Sequence, residues 1–194
     1  MKQGRPVLRI GGGALRGRSV AVPPGARPTE GRVREALFSI WSERVPGARF
    51  LDLFAGSGAV GIEAASRGAA RVLCLEDDPR AVRTLRKNVE GLGGEGGERR
   101  IAVWRVPLPR GLSRLVEQGE PPYDLVFADP PYAFDEYEEL LRRVAPLVAE
   151  DGEAAVEHSA REPLAEEAAG LTRVSERRYG ETALSFYRRR EPPS

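Results

Sequence analysis

The apolar run Y-D-L-V-F-A ends in D-P-P-Y, Asp129 to Tyr132, and these residue types suit chemistry at an exocyclic amino nitrogen of a nucleobase. Such a nitrogen is planar, because its lone pair is delocalised into the ring, and it is a poor nucleophile. Two fixed acceptors, the Asp129 carboxylate and the Pro130 carbonyl, can hold both of its N–H groups and favour a more pyramidal, electron-rich nitrogen. Acceptors aimed at developing positive charge stabilise the transition state by preorganisation. Pro130 and Pro131 restrict the backbone, so the carbonyl is aimed at small entropic cost. Tyr132 offers a ring face on which a base stacks, and Asp129 can take the released proton.

A second set lies upstream. In D-L-F-A-G-S-G-A-V-G, Asp52 to Gly61, the glycines Gly56, Gly58 and Gly61 form G-x-G-x-x-G, and Glu76 follows Gly56 by 20 residues. That spacing fits a strand-to-helix turn that receives a nucleotide, with the acid on ribose hydroxyls. Charge separates two ligands. A dinucleotide such as NAD brings a pyrophosphate, yet Asp52, Glu76, Asp77 and Asp78 crowd the strand ends and no Lys or Arg lies between Asp52 and Gly61. This field favours S-adenosylmethionine, which carries a sulfonium and an ammonium group and no phosphate. Glu76 is then expected at the ribose and Asp52 at the methionine end. Phe54, Ala55, Gly56, Ser57, Gly58 and Asp77 complete the expected cofactor loop.

Positioning these groups requires strands that end together. The runs F-L-D-L-F, R-V-L-C-L-E, I-A-V-W, Y-D-L-V-F-A and A-A-V-E-H alternate with helical patterns, which predicts an α/β domain with a mostly parallel sheet and helices on both faces. Thr29 is placed to cap a helix carrying Val33, Ala36, Leu37, Ile40 and Trp41, and a later helix is expected from about Phe134 to Val148. A D-G turn at 151–152 should follow it. V-L-R-I, G-G-G and A-L-R-G-R-S-V-A-V read as an N-terminal hairpin, and T-R-V-S-E-R-R-Y with T-A-L-S-F-Y-R-R as a terminal one. The expected organisation is a hairpin extension at 1–27, the main domain at 28–190 and a disordered tail at 191–194.

The chain has 194 residues, 41% of them apolar, which suits one core. The net charge of +1 conceals a split. Residues 1–34 hold eight basic residues and one acid, 35–170 hold sixteen and twenty-five, and 171–194 hold six and three. Basic ends around an acidic centre suit a grip on a polyanion with a cationic small molecule held between. Arg9, Arg16 and Arg18 on the hairpin, with Arg27, Thr29, Arg32 and Arg34 at the following helix start, are the candidates for contact with RNA; Arg34 could instead pair with Glu35. Phosphate contacts of this kind position a substrate without reading its sequence. The single cysteine, Cys74, reads as core and the single histidine, His158, as structural or exposed, so no metal site is expected. With no secretory or membrane-spanning segment apparent, the expected setting is the cytoplasm and the expected state a monomer.

Taken together, F-L-D-L-F-A-G-S-G, L-E-D-D and D-P-P-Y resemble the class I S-adenosylmethionine-dependent methyltransferases that act on nucleobase amino groups. R-I-G-G-G-A-L-R-G-R, R-P-T-E-G-R-V-R-E-A-L-F and the late R-Y-G-E-T-A-L narrow the likeness to the RsmD-type family, which methylates guanine N2 in 16S ribosomal RNA. The resemblance implies a Rossmann-like class I fold with a seven-stranded, mostly parallel sheet and an antiparallel C-terminal strand. It also implies ribosomal RNA or the assembling small subunit as partner. Where that family places an acid or amide near the adenine, this chain has A-V-W-R-V-P-L-P-R, so backbone groups around Arg105 and Val106 are expected to serve. A DNA adenine-N6 methyltransferase, an NAD-dependent oxidoreductase and an inactive RNA-binding module are the alternatives.

Overall fold

The computed structural model describes residues 6–23, 31–92 and 100–190. Its central sheet is built from β3 (Arg49–Leu53), β4 (Arg71–Glu76), β5 (Ile101–Arg105), β6 (Tyr123–Ala128), β7 (Val148–Ser159), β8 (Glu167–Ala168), β9 (Leu171–Tyr179) and β10 (Thr182–Arg189), in the order β5-β4-β3-β6-β7-β10-β9-β8. β3 to β7 pair in parallel, and β10 lies antiparallel between β7 and β9. The expected architecture is therefore present, with an eighth strand, two residues long, that had no signal in the sequence. A separate antiparallel ribbon joins β1 (Val7–Arg9) to β2 (Ser19–Ala21).

Strand periodicity sorts the core into two layers. Phe50, Val72, Cys74, Leu125 and Phe127 face one layer, which holds α1 (Gly31–Ile40), α2 (Ala59–Ser66), α3 (Pro79–Glu90) and the ribbon. Leu51, Leu53, Leu73, Leu75, Val126 and Ala128 face the other, which holds α4 (Ser113–Glu117) and α5 (Tyr137–Val144). Asp52 shares the face of Phe50, so its carboxyl points into the first layer, towards α2.

Several expectations shift in detail. The helix expected from Phe134 starts at Tyr137 and ends at Val144, followed by a 3-10 turn. The D-G pair makes no free turn. It lies inside β7, where the register against β6 shifts between Tyr123 and Leu125. A Cβ on Gly152 would stand 2.9 Å from the Tyr123 carbonyl oxygen, so the glycine admits that backbone. α4 falls in the proline-interrupted stretch, which carried no clear helical period. The boundary expected at 27, the helix cap at Thr29 and the tail at 191–194 lie outside the described residues.

Candidate active site

β3 sits at the point where the chain reverses its direction of winding: β4 and β5 lie to one side, β6 and β7 to the other. Crevices at such points, outside the carboxyl ends of the strands, are where open α/β sheets hold ligands. Ala55 N–H donates to the Leu75 carbonyl at 3.0 Å and Asp129 N–H to the Leu53 carbonyl at 3.4 Å. The glycine loop after β3, the acids after β4 and D-P-P-Y after β6 thus share one rim.

The loop is held from within. Glu76 accepts from Gly56 N–H at 2.8 Å through Oε2, and from Asp77 and Asp78 N–H at 2.8 and 2.9 Å through Oε1. Its carboxylate is oriented before any ligand arrives. Gly58 N–H donates to Ala55 O at 2.7 Å, Ala59 N–H to Ser57 Oγ at 3.4 Å and Gly61 N–H to Asp52 Oδ2 at 2.9 Å. Most of the donors that a pyrophosphate would need at the start of α2 are already in use. Two glycines of the motif are required by geometry: Gly58 has φ +78°, with a Cβ there 1.9 Å from Leu85 Cδ1, and a Cβ on Gly61 would lie 2.5 Å from Cys74 Sγ. Phe54 adopts φ 58°, a left-handed conformation costly for a non-glycine residue and typical of constrained functional turns.

Asp52 is 1% exposed. Burial pushes its pKa up to about 8; the Gly61 N–H opposes the rise, while Asp129 and Glu76 add to it. The expectation of a charged Asp52 at the rim is corrected accordingly: desolvation favours its neutral form, and its carboxyl is buried against α2. The Val106 N–H completes the β4–β5 ladder on the Glu76 carbonyl at 3.0 Å, so that one donor of the expected backbone pair is already in use. Arg105 reaches across by Nε to the Asp77 carbonyl at 2.9 Å and braces the loop after β4.

On the opposite lip, Pro130 is buried, Pro131 is exposed and the Tyr132 ring is 89% exposed. Phe134 N–H donates to the Pro131 carbonyl at 2.8 Å, which closes the turn. Phe134 then meets Phe54 edge to face at 5.4 Å, Tyr137 at 5.1 Å, and Tyr137 meets His158 at 6.4 Å. Phe134 and Tyr137 were missed as site residues; the recurrence of aromatics just after D-P-P-Y was the available signal. The Tyr137 hydroxyl is pushed up to about 12 by burial, with Glu162, Asp129 and Glu157 contributing. His158 is buried, with Nδ1 2.9 and 3.0 Å from the carbonyls of Ser159 and Glu162 and Nε2 2.9 Å from Ser185 Oγ. Carbonyls only accept, so Nδ1 carries the proton and the imidazole braces the β7 end. Among the described residues no cluster of metal-binding side chains occurs.

Of the arginines, Arg9, Arg16, Arg18 and Arg32 are exposed. Arg34 is not on the surface. It is 5% exposed, its Nε is 2.9 Å from Glu63 Oε2 and its Nη2 donates to the Arg9 carbonyl at 2.7 Å. Glu63 also takes Arg67 at 2.7 Å and Gly11 N–H at 3.1 Å. Arg34 therefore secures the ribbon, with Glu63 and not Glu35 as its partner. Arg27 and Thr29 lie outside the described residues.

A doubly wound sheet with one antiparallel strand inserted next to the chain's penultimate strand, and ligand loops at its reversal point, is the architecture of class I methyltransferases. The solved structure of yhhF from Escherichia coli overlays with TM-score 0.78 at 33% identity, covering 95% of this chain and 98% of that one. A hypothetical protein of Thermus thermophilus gives 0.79 at 38%, covering 93% and 98%. A protein complexed with SAH shares the fold at 14% identity, with TM-score 0.67 over 89% of this chain and 52% of that one. The chain belongs to the family described as Conserved hypothetical protein 95, which matches residues 8–188. Ribosomal RNA small subunit methyltransferase D of Escherichia coli (strain K12) is 42% identical over 127 residues, which are 64% of this chain and 60% of that protein. YlbH of Bacillus subtilis (strain 168) is 32% identical over 94% of this chain and 100% of its own length.

Proposed function

We propose that this protein transfers a methyl group from S-adenosylmethionine to an exocyclic amino nitrogen, guanine N2, in the 16S ribosomal RNA of the small subunit. The observation that carries the reading is the juxtaposition of D-P-P-Y with a glycine loop most of whose donors are satisfied internally. A loop of that kind suits a ligand without phosphate. Glu76, Asp77 and the backbone of Phe54 to Gly58 would hold the cofactor, which supplies an electrophilic methyl on a sulfonium when bound. The relatives named for ribosomal RNA methylation support the substrate class.

The chain's own residues have separate tasks. Asp129 and the Pro130 carbonyl accept the two N–H groups of the target amine and so raise its nucleophilicity as positive charge develops. Tyr132, standing free of the body, stacks on a base turned out of the RNA, and the flanking backbone is held by exposed arginines of the ribbon and α1. Asp129 receives the proton that the amine releases, unless water does so first.

The test is transfer of labelled methyl to 16S ribosomal RNA or to small-subunit particles, followed by nucleoside analysis. N2-methylguanosine is the expected product, and Asp129→Ala should lower the rate by at least about a hundredfold while cofactor still binds. N6-methyladenine in DNA, or tighter binding of NAD than of S-adenosylmethionine, would replace this reading.

A further inference from the structure

The carboxamide of Asn88, on α3, joins the N-terminal ribbon to the glycine loop. Its Nδ2 donates to the Ala21 carbonyl at 2.9 Å and to the Ser57 carbonyl at 2.8 Å, and its Oδ1 accepts Ala21 N–H at 3.0 Å. From these contacts, we infer that Asn88 is a positioning residue through which RNA held by the ribbon raises the affinity of the glycine loop for the cofactor. The inference rests on the function proposed above.

Sequence position explains why an asparagine is needed. In the ribbon, Ile10 N–H donates to the Arg18 carbonyl and Val22 N–H to the Pro6 carbonyl, both at 3.0 Å. Even-numbered residues of β2 therefore face β1, and the N–H and C=O of Ala21 point out from the free edge. A carboxamide is a peptide group on a side chain and can meet both, as a neighbouring strand would. Its remaining N–H is what reaches the loop. The two carbonyls facing Nδ2 and the N–H facing Oδ1 fix the amide orientation, since a flip would oppose like groups three times.

The rest of the ribbon is bonded to α2 as well as to Arg34 of α1. Ala14 N–H donates to the Ser66 carbonyl and Leu15 N–H to Ser66 Oγ, each at 2.8 Å, while Ser66 Oγ donates to the Gly12 carbonyl at 2.6 Å. A Cβ on Gly13 would lie 1.9 Å from the Ser66 carbonyl oxygen, so G-G-G is the seat of this contact. The ribbon thus holds the far end of α2 directly and the near end, the glycine loop, through Asn88. Arg9, Arg16 and Arg18 stand exposed on that same ribbon. A polyanion drawn to them biases the ribbon's seat, and the Ser57 peptide follows because it shares a donor with β2. Coupling of this kind is reciprocal: bound cofactor tightens RNA by the same factor.

Calorimetry with S-adenosylhomocysteine, with and without a 16S ribosomal RNA transcript, measures the coupling in the intact protein. The expected ratio of the two Kd values is at least about fivefold in the wild type and within about twofold of unity in Asn88→Ala. Asn88→Asp keeps the shape and the acceptor but turns a carboxylate on two carbonyls, and it should behave as the alanine variant does. A purely structural role would weaken both Kd values together and preserve the ratio, which overturns the inference. So does a wild type that methylates RNA with a ratio of one. A wild type that neither binds S-adenosylhomocysteine nor methylates RNA refutes the proposed function itself and this inference with it. Amide exchange in the wild type needs no variant: RNA should slow exchange at Ala21 and at Gly56 and Gly58 together, and an unchanged loop counts against the coupling.

Discussion

Asp52 Oδ2 accepts the amide proton of Gly61 across 2.9 Å, which turns the carboxyl at the end of β3 away from solvent and into the first turn of α2. Burial pushes its pKa up to about 8 from an ordinary 3.8. Between those values the folded chain keeps a proton that the unfolded chain has lost. Stability from this group is therefore fully present below about pH 4 and declines as pH rises towards 8, by at most about 1.4 kcal/mol per pH unit. Denaturant titrations at pH 5 to 8 should show this slope in the wild type, and Asp52→Asn, which keeps an acceptor for Gly61, should flatten it. Equal slopes in both proteins would contradict a neutral Asp52.

The Tyr132 ring is 89% exposed on the lip formed by D-P-P-Y. Its contribution should lie in its face. Base stacking is worth about 1 to 3 kcal/mol, so Tyr132→Ala should lower kcat/KM for RNA methylation by about 5- to 150-fold. Tyr132→Phe should be close to wild type. Both variants should retain the wild-type melting temperature, because so exposed a ring contributes little to the core. A phenylalanine variant as impaired as the alanine one would shift the role to the hydroxyl.

Much of this site was legible in the sequence because it is built from local signals. Glycines with left-handed φ, an acid at a fixed interval and prolines after a strand each leave a mark on the chain. Alternation in F-L-D-L and Y-D-L-V-F-A was enough to place Asp52 and Asp129 at strand ends. What escaped depends on contacts between distant segments. Arg34 sits at the surface in any local reading, yet it pairs with Glu63, 29 residues away, under a ribbon whose docking no local pattern encodes. Asn88 bonds to residues 31 and 67 positions upstream. Within R-K-N-V it is one polar residue among several on an amphipathic helix. The raised pKa of Asp52 likewise follows from the layer packed over it, which composition alone cannot convey.

Gly13 and Gly17 separate close approach from backbone conformation. Both have positive φ, +76° and +82°, but a Cβ on Gly17 meets nothing within 4 Å while one on Gly13 strikes the Ser66 carbonyl. Gly17→Ala should cost about 1 to 2 kcal/mol, from the left-handed backbone alone. Gly13→Ala should cost more and should free the ribbon, seen as rapid proteolytic cleavage between residues 6 and 23 in an otherwise folded protein. Equal costs would mean that the ribbon is not seated on Ser66 in solution.

His158 gives a pH dependence of opposite sign to that of Asp52. Burial lowers its pKa below 6.5, against the opposing effect of hydrogen bonds to the Ser159 and Glu162 carbonyls. The unfolded chain takes up a proton near pH 6.5 that the folded chain refuses, so stability is present above that pH and is lost as pH falls below it. The chain has one histidine, so its imidazole titration by NMR is free of overlap. The folded-state midpoint should lie below 6.5; a midpoint above it would mean that the two carbonyls and the nearby Glu176 carboxylate outweigh burial.

Gly61 and Cys74 offer the sharpest check on how α2 is seated. Alanine is favoured over glycine inside a helix by about 0.8 to 1.0 kcal/mol, so Gly61→Ala gains from propensity. Against that, its Cβ would stand 2.5 Å from Cys74 Sγ, 3.1 Å from Asp52 Oδ2 and 3.2 Å from Val72 Cγ1. Overpacking of this kind costs about 1 to 3 kcal/mol, so the net effect should be destabilising. Removing the sulfur relieves the tightest of the three contacts. In a double-mutant cycle, Cys74→Ala should therefore be less damaging in the Gly61→Ala background than alone, with a favourable coupling of about 0.5 to 3 kcal/mol by denaturant unfolding. Cofactor binding should follow the same order, because displacing α2 from β4 also breaks the Gly61–Asp52 bond on which the glycine loop is anchored. Additive costs would show that α2 shifts freely away from β4, and the close packing of the third glycine would then have no part in shaping the site.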